Sequence, residues 1–163
     1  MKQETYESLV NYILENQDRF YRLAYSYAGN REDAMDIVQN AVCKALGNYG
    51  SLREAGAMKT WFYRILVNES ISLIKKYRLE SPAGEDAHVE SPYYEKGYET
   101  GEDLYDQINK LPEDAQKIIK LRFYEELSLK EIADITEMNL NTVKAKLYRG
   151  LKQLKVNVLE VDV

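Results

Sequence analysis

The 163-residue sequence is poor in the side chains on which covalent and metal chemistry depend. It has one cysteine, Cys43, and one histidine, His88, which excludes an intramolecular disulfide framework, a cysteine-based zinc site and a multi-histidine metal centre. Both are read as incidental, and a reducing interior is the default compartment. Proline is scarce, with Pro82, Pro92 and Pro112 the only three, so nothing in the first 81 residues forces a helix to end. No uncharged run approaches the roughly 18–20 apolar residues of a membrane-spanning helix. Met1 to Glu7 carry Lys2, Glu4 and Glu7 and lead into no apolar core, so no secretory signal is expected and the cytoplasm is the expected location. Glycine-rich phosphate loops (GxGxxG, GxxxxGK[ST]) and the GxSxG nucleophile elbow are absent.

Apolar residues are plentiful enough, at 45%, to build cores, which argues against a disordered or collagen-like chain. The net charge is −5, and its distribution is uneven. Residues 1–80 carry 11 basic and 10 acidic side chains, residues 81–109 carry 1 and 8, and residues 110–163 carry 10 and 9. The excess acid is therefore confined to the middle, which also holds two of the three prolines and three of the eight glycines and has no sustained apolar period before Leu104. By composition residues 81–109 are a linker, with Tyr93, Tyr94, Tyr98 and Tyr105 among its acids.

Both flanks read as helical. Ala34, Ile37, Val38, Ala41, Val42 and Ala45 recur at three- and four-residue spacing and form one apolar stripe, opposite a polar face of Asp33, Asp36, Gln39, Asn40 and Lys44. Upstream, Leu9, Ile13, Phe20, Leu23, Ala24 and Tyr27 predict one or two further helices ending near Gly29. Gly47 to Ala57 has three glycines and reads as a loop before a long helix from about Met58 to Leu79. No internal repeat and no alternating strand pattern is present, so the expected fold is all-α, two small helical domains joined by the acidic linker. A carboxylate-bridged metal bundle would need Glu-x-x-His pairs, and the sole histidine lies in the linker. Neither a metal, a cofactor, a small-molecule substrate nor a catalytic residue is expected.

In residues 110–163, Pro112, Glu113 and Asp114 form a typical helix opening, with Ala115, Ile118, Ile119 and Phe123 as the expected buried stripe. Ser128 and Glu131 have capping-box spacing at the start of a short helix that turns Leu129, Ile132 and Ala133 inward. After a break at Glu137 to Asn139, a third helix buries Val143, Leu147, Leu151 and Leu154 and exposes Asn141, Thr142, Lys144, Ala145, Lys146, Tyr148, Arg149 and Lys152. From Asn141 to Lys155 there are five basic residues and no acid. Phosphate contact depends on the cations that face the duplex and not on total charge, so this face suits DNA. A lysine-rich face is also what an ordinary solvated helix presents. The short capped helix in register before it favours a helix-turn-helix, whose second helix enters the major groove.

Taken together, these segments resemble a known family. LPEDAQKIIKLRFYEELSLKEIADITEMNLNTVKAKLYRGLKQL resembles region 4 of sigma-70-type RNA polymerase sigma factors, REDAMDIVQNAVCKAL resembles region 2.2, and KTWFYRILVNESISLIKKYR resembles regions 2.3 to 2.4. The order and the small size are similar to the extracytoplasmic-function (ECF) group. The resemblance implies a non-enzymatic initiation factor: region 2 at residues 1–80, an acidic linker at 81–109, and region 4 at 110–163. It implies that Asp33, Asp36, Gln39, Asn40 and Lys44 contact the clamp helices of core RNA polymerase. For the promoter −10 element it implies a base-capturing loop from Asn48 to Met58 and a helix whose aromatics and cations hold the opened strand. The candidates there are Asn48, Tyr49, Lys59, Thr60, Trp61, Tyr63, Arg64, Asn68, Lys75, Lys76 and Arg78; Phe62 is expected in the core, and Trp61 is open between the two roles. For the −35 element it implies the exposed residues of the last helix together with Ser128. The linker would enter the polymerase near the RNA exit path, its acidity mimicking nucleic acid, and an anti-sigma factor, membrane-associated, is the expected regulator.

The sequence departs from the family in having Glu137 where the helix-turn-helix turn usually has glycine, Val42 where region 2.2 often has a larger apolar residue, and few aromatics in the −10 loop beyond Tyr49. A different class remains open on the residues alone: a stand-alone helix-turn-helix regulator with an N-terminal sensor or dimerisation domain. It would bind an operator without polymerase.

Overall fold

A computed structural model describes residues 2–80 and 104–154. The described residues are helices and turns, grouped in two compact units divided near residue 90.

The first unit contains α1 (Lys2–Glu15), α2 (Gln17–Ala28), α3 (Arg31–Gly47) and α4 (Met58–Glu80). Asn16 separates α1 from α2, its Nδ2 donating to the Tyr12 carbonyl at 2.8 Å. Gly29 ends α2 as expected: it adopts φ 79°, a left-handed conformation open to a residue without Cβ, and its N–H donates to the Tyr25 carbonyl. Asn30 then caps α3 by accepting from the Asp33 amide at 2.9 Å. α2, α3 and α4 pack on one another. Of the predicted α3 stripe, Ala34, Ile37, Ala41 and Ala45 are buried, while Val38 and Val42 are half-buried. Phe20 is the aromatic centre of the core, with ring centroids 4.5 Å from Phe62, 5.5 Å from Tyr63 and 5.7 Å from Tyr12. Each such pair adds about 0.5–1.5 kcal/mol to simple burial.

The second unit contains α5 (Leu104–Asn109), α6 (Glu113–Ile119), α7 (Leu129–Thr136) and α8 (Leu140–Gln153), with a π turn over Lys120–Tyr124. Its core draws Ile118 and Ile119 from α6, Leu129 and Ile132 from α7, and Val143, Leu147 and Leu151 from α8. α6 crosses α8 closely at Gly150, where an added Cβ would stand 3.0 Å from Ile119 Cδ1 and 3.4 Å from Ala115 Cβ. The expected capping box is present: Ser128 Oγ accepts from the Glu131 amide, and Glu131 Oε1 accepts from the Ser128 amide.

Four local expectations change. The stripe begun by Ala115, Ile118 and Ile119 does not continue to Phe123, because the π turn takes more residues per turn and rotates that ring outward; Phe123 is 48% exposed, and Leu121 is buried instead. Pro112 occupies the position before α6 and not its first turn. On α7, Ile135 is buried and Ala133 only half-buried. The compositional linker is also too long by six residues, since 104–109 form α5 with Tyr105 and Ile108 buried. The rest of that segment, with His88, Tyr93, Tyr94 and Tyr98, lies outside the described residues.

Lys120 is 1% exposed; its Nζ donates to Asn109 Oδ1 at 2.8 Å, and burial pushes its ammonium well below the usual lysine range. It ties the end of α5 to the π turn from inside the core.

Candidate nucleic-acid interface

The cationic face of α8 is positioned by three local devices. The Ser128 box starts α7, a left-handed residue ends it, and Asn139 starts α8 by accepting from the Thr142 amide at 2.8 Å. The left-handed residue is Glu137, at φ 60° and ψ 37°, so the turn keeps its geometry without glycine. The Met138 N–H reaches back to the Ala133 carbonyl at 3.1 Å, satisfying the helix end.

Along α8, Val143, Leu147, Gly150 and Leu151 face the core. Asn141, Ala145, Tyr148, Arg149 and Lys152 are exposed, and Thr142, Lys144 and Lys146 half-buried. Lys146 is set apart from the other cations: its Nζ donates to Asp114 Oδ2 on α6 at 2.6 Å, so its charge is balanced within the unit. Lys144, Arg149 and Lys152 form no ion pair with any acid among the described residues. Ser128 is half-buried with its oxygen accepting in the cap, a role that does not use its O–H. Beside α8 runs a groove of about 390 Å³ between Pro112, Glu113 and Asp114 on one wall and Lys146 and Arg149 on the other; its opposed charges make it no anion site.

In the first unit, the loop between α3 and α4 is held at both ends and open between them. Asn48 Nδ2 donates to the Lys44 carbonyl at 3.0 Å, and Ser51 Oγ to the Asn48 carbonyl at 2.7 Å. Tyr49 is half-buried and meets Tyr6 of α1 edge to face, centroids 5.2 Å apart at 71°. Leu52 and Met58 are buried, whereas Arg53 to Ala57 are exposed. Tyr6 carried no sequence signal, since its partner is 43 positions away.

On α4, Lys59 and Asn68 are exposed and Thr60, Trp61 and Arg64 half-buried; Trp61, Arg64 and Asn68 share a face at helical spacing. Phe62 is buried as expected. Tyr63 is a correction: it is 1% exposed, packed edge-on against Phe20 at 82°, so its ring has no face for a base. The far end of α4 presents Lys75, Lys76 and Arg78.

On α3, Asp36, Gln39, Asn40 and Lys44 are exposed, and Lys44 pairs with Glu69 of α4. Cys43 is exposed on the same stripe, and Met35 is 47% exposed near the half-buried Val38 and Val42, an apolar edge that periodicity alone assigns to the core. Asp33 differs from its expected role: it is half-buried, with one oxygen accepting from Tyr77 Oη at 2.7 Å and the other from Asn30 Nδ2 at 2.8 Å. Its carboxylate is engaged within the unit.

Among the described residues no group of three or more His, Cys, Asp or Glu is placed to hold a metal ion, and no helix is long and apolar enough to cross a membrane.

Comparison with known proteins supplies the frame for these surfaces. The family model for Sigma-70 region 2 matches residues 12–80, and that for Sigma-70, region 4 matches residues 101–154. The chain is 40% identical to the RNA polymerase sigma factor SigV of Bacillus subtilis, over 99% of this chain and 97% of that protein. It is 31% identical to the ECF RNA polymerase sigma factor SigW of the same organism, over 85% and 82%. Among solved structures it is similar in fold to the sigma factor RpoE of Bartonella quintana in complex with the anti-sigma factor NepR (TM-score 0.72, 24% identity, 96% of this chain and 99% of that one). A second similar fold is CnrH in complex with the cytosolic domain of CnrY (TM-score 0.68, 16% identity, 94% and 92%).

Proposed function

The chain belongs to the sigma-70 family of RNA polymerase sigma factors, in its ECF group, and from that premise we propose how its surfaces divide the work of directing core polymerase to promoters. The observation that carries the reading is the order of the two matches, region 2 over 12–80 and region 4 over 101–154, each on the unit that bears the corresponding surface. A stand-alone regulator would leave the region 2 match, and the exposed polar face of α3, without a purpose.

α3 docks on core polymerase through Asp36, Gln39, Asn40 and Lys44. A polar face on a rigid helix suits an interface that must form quickly and later separate, because charge and hydrogen-bond complementarity steer encounter more than they add affinity. The loop from Asn48 to Met58 and the α4 face of Lys59, Thr60, Trp61, Arg64 and Asn68 hold the opened −10 strand. An unpaired base stacked on an aromatic gains about 1–3 kcal/mol, and Trp61, half-buried where its neighbours Phe62 and Tyr63 are buried, is the aromatic at the start of α4 that suits it. Lys75, Lys76 and Arg78 take duplex phosphates.

α8 enters the major groove of the −35 element. In this reading Asn141, Thr142, Ala145 and Tyr148, near the capped start and along the outer face of α8, read base edges, and Lys144, Arg149 and Lys152 meet phosphates; their lack of burial in the core supports it. The protein performs no chemistry of its own and works in the cytoplasm, where polymerase is. Its activity is restrained by an anti-sigma factor, by analogy with the similar folds solved in such complexes; a membrane-associated one would hold it near the membrane.

The direct test is a reconstituted run-off assay with purified protein and sigma-free core polymerase on a genomic fragment library. Discrete transcript starts sharing two upstream elements are expected. Retention of particular duplexes without polymerase, and no starts, would overturn the division of labour and make residues 1–80 a sensor domain.

A further inference from the structure

The far end of α4 is held differently from its middle. Phe62, Tyr63, Leu66, Val67 and Ser70 are buried, but no residue from Ile71 to Leu79 is; Ile71, Leu73, Ile74 and Tyr77 are half-buried and Leu79 is 87% exposed. A helix end with little apolar burial opens locally at low cost unless a specific contact holds it. That contact is present. Tyr77 Oη donates to Asp33 Oδ1 at 2.7 Å, and Asp33 is itself fixed at the first turn of α3 by Asn30, which donates Nδ2–H to Oδ2 at 2.8 Å and accepts the Asp33 amide at 2.9 Å. An O–H donor on a carboxylate is among the stronger neutral-to-charged hydrogen bonds.

The neighbours of Tyr77 give this bond a purpose. Lys76 and Arg78 stand about 100° to either side of it around the helix and Lys75 about 160° away, so docking Tyr77 inward turns all three cations outward, and all three are exposed. Asp33 starts the same helix that carries Asp36, Gln39 and Asn40.

We propose that Tyr77 is a positioning residue for promoter recognition: its hydroxyl, docked on Asp33, locks the last turns of α4 to the start of α3 and sets where Lys75, Lys76 and Arg78 meet DNA relative to the polymerase-binding face. Asp33 is then the anchor of that lock and not a polymerase contact. The inference rests on the assignment of α4 to promoter DNA made above.

The test uses the full chain assembled with core polymerase, on a promoter fragment recovered by run-off mapping, and reads core affinity, promoter affinity and the slope of log K against log[salt]. Tyr77→Phe keeps the ring and deletes the donor. It should leave core affinity unchanged, weaken promoter binding about three- to tenfold, and make the salt slope shallower by about one to two, each lost phosphate contact counting roughly 0.9. Asp33→Ala should do the same, and the double variant should be no worse than either single one. The triple variant Lys75→Ala, Lys76→Ala, Arg78→Ala is the reference. If it loses promoter affinity and slope while Tyr77→Phe and Asp33→Ala keep both, the lock is refuted and the DNA assignment stands. If the triple variant is also unaffected, the DNA assignment fails and the inference with it. A fall in core affinity and thermal stability in Tyr77→Phe, with an unchanged salt slope, would make the bond one of fold maintenance alone and overturn the proposal.

Discussion

The charge arrangement on α8 makes a quantitative prediction about salt. Lys144, Arg149 and Lys152 have no acidic partner among the described residues, whereas Lys146 donates to Asp114 at 2.6 Å. If the three unpaired cations each neutralise a phosphate, replacing all three with alanine removes about 2.7 from the slope of log K against log[salt], at roughly 0.9 per contact. Between 50 and 200 mM salt that difference amounts to a factor of about 40: the wild type loses about 40-fold more promoter affinity over this range than the triple variant. Replacing Lys146 removes a charge that Asp114 already balances, so its slope should stay within about half a unit of wild type. The assay is fluorescence-detected binding of the holoenzyme to a −35-containing fragment at four or more salt concentrations, with core affinity measured in parallel and expected to be constant. A triple variant with the wild-type slope, or a Lys146→Ala slope as shallow as that of Arg149→Ala, would refute the separation of free from balanced cations.

Three further outcomes are expected. Glu137 occupies a left-handed turn at φ 60° that costs a residue with Cβ about 1 kcal/mol, so Glu137→Gly should slow amide exchange of the Ile132 and Val143 core about fivefold; unchanged or faster exchange would show that other contacts of Glu137 offset the strain. Cys43 lies on the exposed stripe of α3 with Asp36, Gln39 and Asn40, so core polymerase should protect it from a thiol-alkylating reagent while promoter DNA alone should not, as mass spectrometry would report. Lys120 has its folded-state affinity for a proton lowered by burial, so the unfolded chain binds more protons between the folded value and the ordinary 10.5. Stability of the second unit should therefore rise with pH through that window, and Lys120→Met should flatten the rise; a fall with increasing pH would contradict the burial of a charged ammonium.

Much of this organisation was legible from the chain alone because its causes are local. Gly29, the Ser128–Glu131 box and the break at Glu137 to Asn139 depend on residues within five positions of one another, and the α8 stripe follows from helical spacing. Where a local rule is interrupted, periodicity and composition mislead: the π turn rotates Phe123 to the surface, and the last six residues of the acidic segment form α5 because Tyr105 and Ile108 find a core. Composition reports the average character of a segment and not which of its side chains meets a partner.

The roles of individual site residues belong to the other class. Trp61 and Tyr63, on one helix, are both base candidates by residue type, and packing against residues distant in sequence, Phe20 on α2 among them, makes Tyr63 core. Likewise Asp33 and Asp36 are the same residue type on one helix, and it takes Tyr77, 44 residues away, together with the local Asn30 cap to occupy both oxygens of Asp33. Lys146 differs from Lys144 through Asp114, 32 residues away. The amino-acid sequence by itself determined the helices, their caps, the two-domain division and the cationic face, since these follow from interactions between near neighbours and from charge count. Only the tertiary structure decided which of those side chains remain available to polymerase and DNA, because availability is what is left after helices distant in sequence have satisfied one another.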